Sequence, residues 1–560
     1  MKRSFWGSLS VCGLGAAIFV MQACTSSSAA SQCSTDGDCL ALGFTSYACG
    51  VDGVCKPSQT AVAGGDAGGF TDECTTNQEC AVKNGQRPAI CRKDPNVPTK
   101  CVPLQTDDCP VVYGPWEDPK AIYFASFAPI SPKLDAAYVA FYQSEGRQMD
   151  VAVNDFNGAG GLPGTSGRRP LVHLTCNSGA AGYSHAANVV KVPAAIIPTE
   201  TELAWLPIAK SHNIATFCSL CVGNIRAEAV AGGVDGSLSF GLLQAFDYVA
   251  PMYPYKMTQF EAQVRAARAL QPSQPIKVAI LGGDDAGSLY MVNAIQKILT
   301  FNNKTLTQNT ADNNYKLITM ATPLAGGTLP DPAVVASQIA AFAPDIVLPL
   351  TPGADWAYML TTIETAWTAA YRPLWVAPLT AFPDRLDQLI GTDENLRKRI
   401  IGIKMLPTTN ELSLNTTPQI TSYVSRYNQV HPGETPLSIL YDYDAVYLMA
   451  YAIAASGQRP FDALSGSDIA TALPKVTTGA THFETVPSSI TSALVSLATG
   501  PIKLDGLYTS LSFDYSDGSI PTDTGTWCVS KAADGTFSLK FTSEVFHWDT
   551  KTVTGTFDCP

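Results

Sequence analysis

The stretch Ala152-Val-Asn-Asp-Phe-Asn-Gly-Ala-Gly-Gly-Leu-Pro-Gly164 decides how this chain folds. It closes a run in which Leu134, Tyr138, Phe141, Met149, Val153 and Phe156 recur at three- and four-residue steps, the spacing that buries one face of a helix. Asn157 and the glycines after it are expected to supply the left-handed conformations that stop the helix and reverse the chain. Ahead of the helix lies the apolar run Ala121-Ile-Tyr-Phe-Ala-Ser-Phe127. Behind the turn, after Arg168-Arg169-Pro170, comes Leu171-Val-His-Leu-Thr-Cys176. Both runs read as strands, and strand, helix, turn, strand is the unit from which parallel sheets are built.

The same alternation continues from about Pro119 onward. Pro193 to Ile197, Ile276 to Leu281, Asp345 to Leu348 and Leu374 to Ala377 read as short buried strands, with helices over Leu289 to Leu299 and Ala333 to Phe342. Lys304 to Asn313 reads as a polar loop. At 560 residues the chain exceeds what one core supports. The number of units therefore points to two α/β lobes, each a doubly wound parallel sheet. A hydrophobic content of 46% and a mean hydropathy of +0.07 describe a globular protein. The net charge of −12 and the lack of basic clusters argue against a nucleic-acid partner.

The first residues read as an export signal. Lys2 and Arg3 precede an apolar stretch from Val11 to Met21, short for a membrane span. Met21-Gln-Ala-Cys24 followed by a Ser-rich tether resembles the lipobox of bacterial lipoproteins, so residues 1–23 are expected to be removed and Cys24 to carry lipid. An ordinary cleaved signal with an incidental cysteine is the alternative. Thr25 is not an acidic retention signal, which favours the periplasmic side of the outer membrane, or the cell surface.

Setting aside Cys12 and Cys24 leaves fourteen of the 16 cysteines, an even number that suits disulfides in an exported chain. Within residues 24–109, Cys33, Cys39, Cys49 and Cys55 form one four-cysteine module (33–55). Cys74, Cys80, Cys91 and Cys101 form a second (74–101), joined to the first by the flexible Ala61 to Phe70. Each module is expected to close on itself, in any of three connectivities. The wide spacing and absence of interleaved histidines argue against zinc. Asp36 and Asp38 lack the spaced ligands of a calcium loop. Bridging Cys528 to Cys559 would close a loop of roughly 30 residues, worth about 3–4 kcal/mol in the chain-entropy description. The pairing of Cys109, Cys176, Cys218 and Cys221 stays open. A CxxC bridge between Cys218 and Cys221, or Cys176 with either, fits the spacing.

The helix, the Asn-x-x-Gly-Gly-x-x-Gly turn and the flanking strands resemble the opening unit of type I periplasmic solute-binding proteins, in the branch of the branched-chain amino-acid binders. Pro275 to Ser288 resembles the first strand and turn of that family's second lobe. Tyr441-Asp-Tyr-Asp-Ala-Val-Tyr resembles its late helix, and Ser512 to Phe537 its closing strands. The resemblance spans residues 119 to 560. It implies three crossovers, near Phe246 to Tyr253, Met405 to Asn410 and Thr524 to Trp527. Lobe 1 would then hold 110–249 and 408–524, and lobe 2 would hold 250–407 and 525–560.

Ligands of such sheets bind beyond the carboxyl ends of the strands. The resemblance places Ser131, Thr199, Thr201, Cys218 and Ser219 there in lobe 1, their hydroxyls and backbone amides facing a carboxylate or amino-acid moiety. In lobe 2, Asp284, Asp285, Thr351, Asp355 and Trp356 occupy the corresponding loops, the acids suited to a cation or sugar hydroxyls and Trp356 to stacking or to packing a helix start. The chain departs from the amino-acid binders at Ala286-Gly287, which has no aromatic, at Pro198, and near Pro378 to Pro383, which has no clear ammonium partner. Amino-acid specificity therefore does not carry over. No His-Glu-x-x-His or Gly-x-Ser-x-Gly is present, and His173 reads as packed within a strand, so no enzyme, cofactor or metal is expected. The expected role is capture of a small polar ligand (an amino acid or related solute) for an ABC-type permease. A ligand-sensing receptor coupled to a sensor protein, or an envelope interaction protein built around the cysteine-rich region, is the alternative.

Overall fold

The computed structural model describes residues 47–49, 55–57, 73–92 and 98–558, less 129–135, 198–203, 323–329, 378–392, 407–417 and 437–439 and the short stretches 166, 244, 352, 369–370, 435, 509, 532–534 and 536. The signal segment, Cys24, Cys33, Cys39, Ser131, Thr199, Thr201 and Cys559 lie outside the described residues. Met1–Cys74 with Pro98–Cys101 form one compact unit, and Thr75–Val97 with Val102–Pro560 the other. In the first unit, strands Tyr47–Cys49 and Cys55–Pro57 pair antiparallel with Cys49 opposite Cys55. Thr99 Oγ1 donates to the Cys74 carbonyl at 2.7 Å. Cys74, Cys80, Cys91, Cys101 and Cys528 are each disulfide-bonded.

The larger unit holds two sheets. The first contains β1 (Val111–Tyr113), β2 (Ile122–Ala128), β3 (Leu171–Asn177), β4 (Ala194–Ile197), β5 (Ala215–Cys218) and β6 (Ser239–Gly241), in the order β6-β5-β4-β2-β3-β1. All neighbours are parallel except β1 with β3. The second contains β7 (Val278–Gly283), β8 (Tyr315–Met320), β9 (Ile346–Leu350), β10 (Leu374–Ala377), β11 (Ile400–Met405), β12 (Thr524–Lys531), β13 (Phe537–His547) and β14 (Thr552–Thr554), in the order β8-β7-β9-β10-β11-β12-β13-β14. Its first five strands are parallel and its last three run antiparallel. This is the mixed α/β, two-sheet architecture of the type I periplasmic-binding fold.

Helix α1 (Ala136–Gly158) covers the first sheet, burying Met149, Val153 and Phe156 completely. The reversal after it differs from the sequence expectation. Gly160 and Gly161 alone take positive φ, at 93° and 81°, while Asn157 remains helical. Its side chain clamps the next strand instead: Leu171 N–H donates to Asn157 Oδ1 at 2.8 Å, and Asn157 Nδ2 donates to the Leu171 carbonyl at 2.9 Å. The cause is the reach of β1, whose pairing with β3 stops at His173 and leaves the outward backbone groups of Leu171 to be satisfied by a side chain. A Cβ on Gly161 would lie 2.6 Å from the Arg169 carbonyl, so no other residue fits that turn.

Helices α2 (Ile225–Ala231), α3 (Ala245–Val249) and α4 (Met252–Arg268) lead toward the second sheet, where α5 (Ala286–Ile298) and α6 (Gly353–Ala366) follow β7 and β9. The chain then returns through α7 (Pro418–Val430) and α8 (Tyr441–Ala455) to lobe 1. Helix α8 runs alongside α1 in the same direction: Tyr441 meets Glu145 at 3.2 Å, Tyr443 meets Asp155 at 2.7 Å, and Tyr451 packs on Phe156. Thirteen of its residues, Tyr441 through Ile453, are buried. Residues 304–313 form no simple loop. Leu306–Ala311 is a short helix, because Thr305 and Gln308 make a reciprocal capping box that satisfies its first backbone donors.

Residues 75–92 and 102–104 pack on lobe 1. Asn77 Nδ2 donates to the Trp116 and Glu117 carbonyls at 3.1 and 3.2 Å, and Ile90, Val102 and Leu104 join Tyr123 and Leu174 in one apolar cluster. A Cys109–Cys176 disulfide ties the segment before β1 to β3, and Cys218 pairs with Cys221. At the start of lobe 2, Lys256 on α4 and Glu544 on β13 form a fully buried ion pair at 2.6 Å, with Gln259 and Thr526 completing the carboxylate's bonds.

Candidate functional site

In open α/β sheets the ligand crevice opens where strand order reverses. Lobe 1 runs from β2 to β3 on one side and returns to β4 on the other. Lobe 2 runs from β7 to β8 and returns to β9. The crevices therefore lie beyond the carboxyl ends of β2 and β4 and of β7 and β9.

Ser219 follows β5 and is fully buried. Its Oγ lies 2.5 Å from Asp442 Oδ1 and 3.3 Å from the Ile197 carbonyl at the end of β4. Asp442, at the start of α8, is also fully buried, and its Oδ2 has no partner. Burial pushes the Asp442 carboxyl well above its ordinary value, against the lowering by the Ser219 bond. The Cys218–Cys221 bridge spans the turn that carries Ser219. Sequence reading quoted Asp442 only as part of a helix. The missed signal is an acid inside an otherwise apolar helical run.

In lobe 2, Asp284 Oδ1 accepts from Thr322 N–H and Oγ1 at 2.7 and 2.9 Å. Asp285 caps α5, taking the Ser288 N–H at 2.9 Å and its hydroxyl at 2.6 Å. Both acids thus have partners within their own lobe. Thr351, at the end of β9, is fully buried and its Oγ1 has no hydrogen-bond partner. Asp355 and Trp356 sit in the first turn of α6 rather than in a loop, because the helix begins at Gly353.

Between the lobes, Tyr290 on α5 lies against Gly223. A Cβ there would come within 2.3 Å of the tyrosine ring, so the close approach requires glycine. The Tyr290 hydroxyl donates to Asp247 Oδ1 at 2.6 Å, and Asp247 Oδ2 accepts the Asn224 N–H at 2.9 Å. Tyr290 is an aromatic one turn beyond the Ala286-Gly287 position where sequence comparison sought one. Glu228 also borders Gly223, and its Oε2 is buried with no partner. Burial first, and then the Asp247 charge, push the Glu228 carboxyl up to about 7. Burial likewise raises Asp247, against its bonds from Tyr290 and Asn224.

One constellation mimics a hydrolase. Ser126 Oγ lies 2.7 Å from His173 Nε2, and His173 Nδ1 lies 2.8 Å from Asp150 Oδ1. All three are buried, and His173 stacks on Phe124 at 4.9 Å inside the sheet. Burial raises the Asp150 carboxyl, but bonds from His173 and His431 outweigh it and hold the group below its ordinary value. A substrate carbonyl cannot reach a serine in mid-strand, so the trio fastens β2, β3 and α1 together.

Neither a protein-family profile nor any curated protein matches the chain. Among solved structures, it is similar to a possible leucine/isoleucine/valine-binding protein from Rhodopirellula baltica SH 1, at 12% identity, covering 78% of this chain and 98% of that one, with a TM-score of 0.50. It is also similar to a periplasmic binding protein from Burkholderia mallei, at 12% identity, covering 78% and 97%, with a TM-score of 0.51. At these identities the likeness establishes the fold. No helix among the described residues is long and apolar enough to cross a membrane.

Proposed function

We propose that this protein is a solute-binding protein that closes its two lobes on a small polar solute and presents it to an ABC-type permease, held at the membrane by lipid on Cys24. The observation that carries the reading is the unpartnered, buried Thr351 hydroxyl at the carboxyl end of β9, in the crevice where strand order reverses. Among the described residues, Tyr253, Tyr423, Tyr427 and Tyr451 also have buried, unpartnered hydroxyls, but Thr351 is the one that follows a strand at the switch point, where a free donor suits a ligand. By the family resemblance, Ser131, Thr199, Thr201 and Ser219 would supply the lobe 1 contacts. Glu228 and Asp247 beside Tyr290 supply an acidic side suited to an ammonium group, which supports a solute of the amino-acid kind.

A melting-temperature screen of the mature chain against amino acids, amides, sugars and short peptides identifies the solute. Saturation at a hundred times the dissociation constant should stabilise the protein by about 2.7 kcal/mol. X-ray scattering should then show compaction. Thr351→Val keeps the side-chain shape and removes one hydrogen bond to ligand, typically about 0.5–1.5 kcal/mol, so affinity should fall roughly three- to tenfold with no loss of stability in the ligand-free protein. Full affinity in Thr351→Val, or no compaction with a confirmed ligand, would refute this placement.

A further inference from the structure

A second site lies at the opposite edge of lobe 1. Beyond the amino ends of β2 and β3 is a cavity of about 220 Å³, lined among others by Arg92, Lys120, Tyr123, Arg169, Phe461 and Asp462. Among the described residues the lining holds three cations and one carboxylate, in a chain whose net charge is −12. Arg169 is 4% exposed. Its Nε donates to the Pro163 carbonyl at 2.9 Å and its Nη1 to the Arg459 carbonyl, while Nη2 has no partner. A buried guanidinium with an unspent donor is costly unless something pairs with it. Asp462 does not serve it, being 3.5 Å from Arg92 Nε and 41% exposed. Lys120 Nζ comes within 3.5 Å of the point where a Cβ on Gly167 would stand, and Gly167 has a φ of 107° that favours glycine. Gly167 itself thus puts no side chain against the cation. The opposite wall is apolar: Tyr123 and Phe461 meet edge to face at 5.0 Å, with Arg92 over the Phe461 ring at 5.6 Å. The Tyr123 hydroxyl is already donated to the Trp116 carbonyl at 3.1 Å.

We infer that this cavity binds a small organic carboxylate, its carboxylate on Arg169 and Lys120 and its body against Tyr123 and Phe461. Guanidinium donors suit a planar carboxylate. A bare oxyanion would leave the aromatic wall and most of the volume unfilled, whereas an apolar cavity of about 150 Å³ accepts benzene. The site is separate from the crevice between the lobes and does not depend on what binds there.

Benzoate is the probe, titrated calorimetrically into the full mature chain. Lys120 and Thr165 are both exposed at the cavity rim, so Lys120→Glu and Thr165→Trp test it without touching the core. Arg169→Gln is unsuitable, since Arg169 also holds two carbonyls of the fold. Wild-type protein should bind benzoate with a dissociation constant of about 1 mM or tighter. Lys120→Glu should weaken binding at least tenfold, and Thr165→Trp should abolish it, with melting temperatures unchanged in the absence of benzoate. Absence of binding to the wild type overturns the inference. So does equal affinity in both variants, which would place benzoate elsewhere, including between the lobes.

Discussion

Replacing Glu228 by glutamine should stabilise the protein at alkaline pH and leave it nearly unchanged in acid. In the folded chain, burial and the Asp247 charge lift the Glu228 carboxyl from 4.5 to about 7. Below the unfolded value both states hold the proton and the group contributes no pH dependence. Between about 4.5 and 7 the folded state keeps a proton that the unfolded state releases, so stability falls as pH rises, and above 7 the loss is complete. At about 1.36 kcal/mol per pKa unit the loss is at most about 3.4 kcal/mol, and less in practice because the side chain is only partly buried and Asp247 shares the repulsion. Glutamine fills the same space without the charge. For a lobe of this size, about 3 kcal/mol corresponds to a rise in melting temperature of roughly 6–12 °C. Thermal denaturation of both proteins, followed by circular dichroism across this range, reads the difference directly. A difference that is the same in acid and in alkali would show that Glu228 titrates alike in the folded and unfolded chain, and the reasoning about its burial would be wrong.

Lys256→Met leaves Glu544 buried and uncompensated, and should cost about 3–5 kcal/mol in denaturant unfolding, while Lys256→Met with Glu544→Gln should recover most of that. No recovery would mean that packing, not charge, holds α4 to β13. Removing the Cys109–Cys176 bridge, whose ends are 67 residues apart, should lower stability by up to about 4 kcal/mol on loop-closure grounds. An unchanged denaturation midpoint for the double alanine variant would contradict that. Labelling cells with a fatty-acid analogue should tag the wild type and miss Cys24→Ser, and equal labelling of both would remove the lipid anchor from the functional proposal.

The fold was legible because its determinants are local and periodic. The α1 face, the strand at Leu374 to Ala377, and the Gly160-Gly161 reversal can each be read from a dozen residues. What the sequence hid depends on distant partners. Asn157 has the composition of a helix stop, and only the short reach of β1 turns it into a clamp for Leu171. Asp285 looks like a ligand-facing acid until Ser288 is seen beneath it. Asp442 and Ser219 are separated by 223 residues, and nothing local to either names the other. Glu228 and Tyr290 gained their setting from the meeting of the lobes at Gly223, a contact without periodicity. The cavity at Arg169 escaped notice for the same reason: Arg92, Lys120, Arg169 and Asp462 come from four unrelated stretches.

The threading of the chain between its two sheets also governs when the protein can become native. The helix that seals lobe 1, α8, is made more than two hundred residues after Ser219, which it secures through Asp442. In lobe 2, Lys256 waits 288 residues for Glu544, and the parallel strand β11 remains an open edge until β12 is supplied. During synthesis, then, neither lobe can complete its core early. Packing of both lobes is therefore completed only once almost all of the chain has been made. Such late completion leaves unpaired β edges and apolar helix faces exposed meanwhile, the state in which a nascent chain is most prone to aggregate.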